Sequence, residues 1–135
     1  MIVVLDASAA IEIVLQRDLA GQSAKYVGRA DWVIVPGLFI SEVTNTLWKF
    51  RKFADLPYEV CEKALEQAIA LPDDFVNEQD LYREAFKLSC MLNHPVYDIL
   101  YLLTARRNSG ALLTLDQKLI QLAAECSVET CTLAK

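Results

Sequence analysis

The chain has 135 residues, 54% of them hydrophobic and 23% charged, which is enough apolar side chain for a core and too much for a disordered segment. Four glycines and four prolines exclude a low-complexity or collagen-like chain, and the length predicts a single domain over residues 1–135. Eighteen acids against thirteen bases give a formal net charge of -5, which taken alone disfavours a nucleic-acid partner, because phosphate binding ordinarily leaves a basic footprint.

Ile2-Val3-Val4-Leu5 is a short β-branched run, the pattern of a strand buried on both faces. Helical spacing follows over residues 8–16 and 19–30, and Trp32 to Val35 predicts a second buried strand ended by Pro36-Gly37. From Phe39 to Phe53, Ile40, Val43, Leu47 and Phe50 recur at helical spacing. Pro57 suits the first turn of a helix that reaches Leu71, where Pro72 stops it. A short strand is expected over 74–76 and helices over 78–93 and 97–109, with Gly110 as the stop. Residues 111–115 read as a strand, 117–125 as a helix and 128–133 as a last strand. Strands alternating with helices predict an α/β domain with a mostly parallel central sheet.

The start of the chain shows no basic segment followed by an apolar one, and no window is long and apolar enough for a membrane span, so a cytoplasmic protein is expected. Cys61, Cys90, Cys126 and Cys131 form no CxxC pair and lie far from His94 in sequence, apart from Cys90, so they read as reduced thiols in or near the core rather than a zinc site.

Most acids, among them Glu59, Glu62, Glu66, Glu78, Asp80 and Glu84, fall on polar helix faces. Four do not. Asp6 directly follows the first strand, Asp116 follows the strand ending at Leu115, Asp98 interrupts an apolar helical run, and Glu42 sits one turn into the helix whose apolar stripe begins at Ile40. Carboxylates are seldom buried without partners, because losing their hydration costs several kcal/mol. In a parallel sheet Asp6 and Asp116 come to the carboxyl edge, where open α/β folds build their sites, and Glu42 and Asp98 lie within reach of it. Two carboxylates about 5 Å apart repel by roughly 3 kcal/mol at an effective dielectric of 20, so four together call for a cation such as Mg²⁺ or Mn²⁺. Taken singly, Asp6, Asp98 and Asp116 read equally well as helix N-caps, and Glu42 as an acid favoured by the helix dipole.

The order of these motifs resembles the PIN-domain ribonucleases, most closely the VapC-type toxins of toxin–antitoxin pairs. The stretches that carry the resemblance are Val4-Leu5-Asp6-Ala7-Ser8, Glu42-Val43-Thr44-Asn45-Thr46-Leu47, Tyr97-Asp98-Ile99-Leu100-Tyr101-Leu102-Leu103-Thr104-Ala105 and Leu113-Thr114-Leu115-Asp116. It implies a PIN-like three-layer α/β/α fold in which Asp6, Glu42, Asp98 and Asp116 are catalytic and hold Mg²⁺ or Mn²⁺. It also implies hydrolysis of RNA to leave a 5′-phosphate and a 3′-hydroxyl. Ser8, Thr114 and Asn45 would then be supporting residues, and local backbone bonding or simple exposure is the competing reading of each. Beyond Asp116, Gln117 and Lys118 supply no further acid. The family implies a small antitoxin whose basic tail covers the acids, and usually a homodimer.

Glu42, Asn45, Lys49 and Lys52 share one helix face, so Lys49 and Lys52 are candidates for phosphates flanking the cut, or else a solvated face. Arg106 and Arg107 read as cations at a helix C-terminus, Trp32, Trp48 and Tyr101 as core or dimer contacts, and His94 as structural. A housekeeping PIN nuclease and a catalytically idle PIN fold used for binding are the alternatives. Haloacid-dehalogenase-type phosphatases also begin with a strand-end Asp, but want a second Asp where this chain has Ser8.

Overall fold

The structure is a computed structural model and describes residues 1–134. The β-branched runs become β1 (Ile2–Leu5) and β2 (Trp32–Pro36), joined by the shorter β3 (Asp74–Val76) and β4 (Ala111–Leu113). Every pairing is parallel, in the order β3-β2-β1-β4, with Val3 level with Val33 on one side and Ala111 on the other. Successive side chains on a strand point to opposite faces. Val3, Leu5, Val33, Val35 and Leu113 therefore pack into one apolar cluster, and Val4, Ile34 and Leu112 into a second.

The first cluster is covered by α1 (Ala7–Val14), α2 (Ala20–Arg29), α3 (Leu38–Ala54) and α4 (Tyr58–Ile69). The second is covered by α5 (Tyr82–Leu92), α6 (Val96–Arg107) and α7 (Gln117–Glu125). This is the expected three-layer α/β/α arrangement. β1, β2 and β3 step toward one edge of the sheet, and the chain then crosses back to place β4 on the far side of β1. Such a reversal of strand order opens a crevice beyond the carboxyl ends of the two strands that flank it, here β1 and β4.

Pro57 falls one residue before the first helical turn expected for it, at an N-cap, and Pro95 takes the same position. Pro57 and Pro95 stand immediately before α4 and α6 with φ of -55° and -57°, values close to those of the helix that follows. The expected helix over 78–93 is broken instead. Asn77 Oδ1 accepts from Gln79 N at 2.9 Å, turning residues 78–80 into a 3-10 segment, and Leu81 drops into the core before α5 begins. The stop after α6 also differs. The left-handed residue is Ser109, at φ 51°, while Gly110 serves close approach, because a Cβ there would lie 3.1 Å from Ile2 Cγ2 and 3.2 Å from Ile2 O.

The strand expected over 128–133 shrinks to one parallel bridge between Leu112 and Thr130. Leu112 N donates to Glu129 O at 2.9 Å and Cys131 N to Leu112 O at 2.7 Å. Beyond the bridge, α2 takes over by side chain: Tyr26 Oη donates to Thr132 O at 2.9 Å, and the Gln22 amide pairs with the Ala134 backbone. Of the four thiols, Cys61 and Cys131 are buried and Cys126 half-buried, whereas Cys90 is exposed, contrary to the core placement expected for it.

Candidate functional site

Asp6 directly follows β1, and its N–H donates to Leu113 O at 3.0 Å, which locks it to the end of β4. Its side chain is buried, and Oδ2 accepts from Ser8 Oγ and Thr114 Oγ1, each at 2.7 Å. Those hydroxyls also accept: Ser8 Oγ from Leu115 N and Thr114 Oγ1 from Asp116 N, each at 3.0 Å. One buried carboxylate and two hydroxyls thus fasten the start of α1 to the lead-in of α7. Burial raises the Asp6 carboxyl above the ordinary carboxylate range; the Ser8 and Thr114 hydroxyls and Ala7 N–H oppose this, and the charge of Asp116 adds to it. Asp6 occupies the N-cap position of α1 yet makes no capping bond with its side chain.

Glu42 belongs to the second turn of α3, which has no acid in its first, so the helix-dipole reading of it does not hold. It is half-buried, and Oε1 accepts from Tyr101 Oη at 2.6 Å, across the sheet edge from α6. Its carboxyl is pushed up to about 7. Burial is the main cause, opposed by the Tyr101 hydroxyl and reinforced by the charges of Asp6, Asp98 and Asp116. Burial likewise pushes the Tyr101 phenol far above its usual range, with Asp6 and Glu42 adding to the effect, so it serves as a donor.

Asp98 lies in the first turn of α6, but the cap position belongs to Pro95, so capping is not its role. Its Oδ2 is 2.8 Å from His94 Nε2. Asp116 does cap: its Oδ1 accepts from Lys118 N at 2.9 Å at the start of α7. The structure therefore brings the four acids to one end of the sheet, where Glu42 feels the other three.

Residues 3–125 match the family described as PIN domain. The chain belongs to the PIN domain family. Ribonuclease VapC3 of Pyrobaculum aerophilum is 28% identical over 123 residues, a match covering 90% of this chain and 94% of that protein. The crystal structure of PAE2754 from Pyrobaculum aerophilum superposes with a TM-score of 0.71 at 18% identity, covering 88% of this chain and 82% of that one, a likeness of fold.

In this PIN domain the acids are neighbours rather than a finished cage. Among the described residues no group of three His, Cys, Asp or Glu side chains stands close enough to hold a metal ion as placed. The donor set nevertheless suits a hard divalent cation, since it offers carboxylate oxygens, and the charges of Asp6, Asp98 and Asp116 add to the burial that raises the Glu42 carboxyl. Of the supporting candidates, Ser8 and Thr114 bond Asp6, while Asn45 is exposed on α3 without a side-chain hydrogen bond among the described residues. Lys49 and Lys52 are exposed, and Lys52 Nζ rests 5.2 Å from the Trp48 ring centre and 5.7 Å from that of Phe53. Trp48 is exposed rather than core. Arg106 and Arg107 reach Glu84 at 3.0 and 2.8 Å instead of capping their own helix.

Two side chains at the site, Tyr101 and His94, were not among the residues the sequence singled out for it. Tyr101 sits in an apolar run that reads as core, which it is, and nothing local reveals that its hydroxyl spans to α3. His94 lies four residues before Asp98, a spacing that could have suggested the pair. A further buried acid, Glu12, accepts from Leu19 N at 2.8 Å and pins the α1–α2 connection.

Proposed function

We propose that this PIN domain is a divalent-metal-dependent endoribonuclease, the toxin of a type II toxin–antitoxin pair. The observation that carries the reading is that Asp6, Glu42, Asp98 and Asp116 come to one end of the sheet, where the charges of the other three add to the burial that raises the Glu42 carboxyl. The kinship to a protein named ribonuclease VapC3 supports RNA as the substrate and a small antitoxin as the partner.

Asp6, Glu42, Asp98 and Asp116 would hold Mg²⁺ or Mn²⁺. When bound, such an ion polarises a phosphoryl oxygen and acidifies water in a phosphodiester hydrolysis. Ser8 and Thr114 keep one oxygen of Asp6 fixed. His94 restrains Asp98, and Tyr101 restrains Glu42. Asn45 supports the site from the next turn of α3, and Lys49 and Lys52 continue that helix outward as contacts for flanking phosphates. An antitoxin with a basic tail is suited to the same acids, and we assign the protein to the cytoplasm as a homodimer of one-domain chains. No helix among the described residues is long and apolar enough to cross a membrane.

The reading is tested with the purified protein, Mn²⁺ or Mg²⁺ and a panel of structured RNAs. Asp6→Asn and Asp98→Asn should each lower the cleavage rate by about 100-fold or more, the loss of several kcal/mol of charge stabilisation. Cleavage that persists unchanged in both variants refutes the assigned site. An adjacent short reading frame with a DNA-binding segment and a basic tail separates a toxin from a housekeeping nuclease.

A further inference from the structure

We infer that Tyr101 is a positioning residue, whose hydroxyl holds the Glu42 carboxylate in the orientation that meets a cation and ties α3 to α6 across the site. The inference rests on the metal-dependent reading above and adds a residue to it.

Tyr101 is 1% exposed and lies on α6 among Ile99, Leu100, Leu102 and Leu103, all buried. Packing alone would be served as well by phenylalanine, which fills the same space without burying a hydroxyl that then needs a partner. The partner it finds is no core carbonyl but Glu42 Oε1, 59 residues away in the chain, at 2.6 Å. That distance falls in the range of a hydroxyl bonded to an ionised oxygen, the stronger class of hydrogen bond.

Glutamate has three side-chain torsions, and a free carboxylate must surrender them when it binds an ion. A bond to one oxygen from a side chain locked in the core removes that freedom beforehand and leaves Oε2 without a hydrogen bond among the described residues. Asp98 stands one turn earlier on the same helix. One rigid element therefore supplies one acid directly and grips a second, so that the separation between the two is set by α6.

Tyr101→Phe removes the hydroxyl and keeps the ring. We expect the variant to fold, to bind Mn²⁺ about tenfold more weakly in calorimetry, as when a partner behind a metal ligand is lost, and to lose RNA cleavage in kcat more than in KM. In a Glu42→Ala background the same substitution should leave Mn²⁺ affinity unchanged. The shift it causes in the denaturation midpoint, measured without metal, should also differ between the two backgrounds. Wild-type Mn²⁺ affinity in Tyr101→Phe, or equal midpoint shifts in both backgrounds, overturns the inference. A wild-type protein that binds no Mn²⁺ defeats the metal-dependent reading instead, and the midpoint shifts then decide by themselves whether Tyr101 holds Glu42.

Discussion

Thr114 is almost wholly buried and uses its hydroxyl twice, donating to Asp6 and accepting from Asp116 N. Thr114→Val preserves shape and removes both bonds, leaving a buried carboxylate short of a donor and a backbone N–H without its acceptor. We expect a loss of about 1–3 kcal/mol in urea denaturation, the cost of unsatisfied buried polar groups. Glu42 makes a prediction of a different kind. Its carboxyl is raised from 4.5 to about 7, so between those values the folded chain keeps a proton that the unfolded chain has released. Stability should therefore fall as pH rises through that window in the absence of divalent ions, and the slope should flatten in Glu42→Gln. A thermal melt series in chelator from acid to mildly alkaline pH reads both. The four acids were legible because each breaks an apolar context. Tyr101 was not, since its sequence neighbourhood says core and its function depends on a partner across the sheet edge.

At the scale of elements, α6 joins the site to the core. Its first turn carries Asp98, its middle packs Ile99 to Ala105 without exposure above a few per cent, and its end is anchored by Arg106 and Arg107 to Glu84 of α5. The turn that follows separates two jobs usually given to one glycine. Ser109 takes the left-handed backbone at φ 51°, and Gly110 allows contact with β1. Ser109→Gly should raise stability by about 0.5–1 kcal/mol, because the left-handed region penalises a Cβ. Gly110→Ala should lower it by about 1–3 kcal/mol by driving a methyl against Ile2 and Val4. Opposite shifts of the urea midpoint in the two variants check the pair. Composition punctuated by Pro57 and Pro72, with apolar residues at helical spacing, made most helices readable. The break at residues 77–81 was hidden, because it turns on a hydrogen bond that the Asn77 side chain accepts from Gln79 N and that competes with an otherwise helical pattern. The end of the chain was over-read as a strand for a related reason: Val128 and Cys131 are buried as a strand's would be, but only Thr130 pairs.

For the molecule as a whole, the charge of -5 takes on another meaning once four of its acids come to one end of the sheet. About two divalent ions would offset their formal charge, in which case affinity for a polyanion depends on the ion rather than on a basic surface. The exposed lysines of α3 lie outward from the acids along the same helix, so attraction and repulsion are separated in space rather than averaged.

The bridge between Leu112 and Thr130 has a bearing on how copies of this protein behave at high concentration. A parallel sheet exposes unpaired N–H and C=O groups along its outermost strands, and such a border is a template on which another chain can add. At β3 the border is only three residues long and carries Asp74. At β4 it is closed by the protein's own backbone, through the bonds at Glu129 and Cys131. Deleting residues from 128 onward would uncover that border and the apolar side chains beneath Val128 and Cys131 while leaving every acid of the crevice in place. The truncated chain should consequently show a concentration-dependent rise in light scattering that the full chain does not. Colloidal stability would then be lost before the acids are disturbed, because residues 129–131 act as a guard on the sheet.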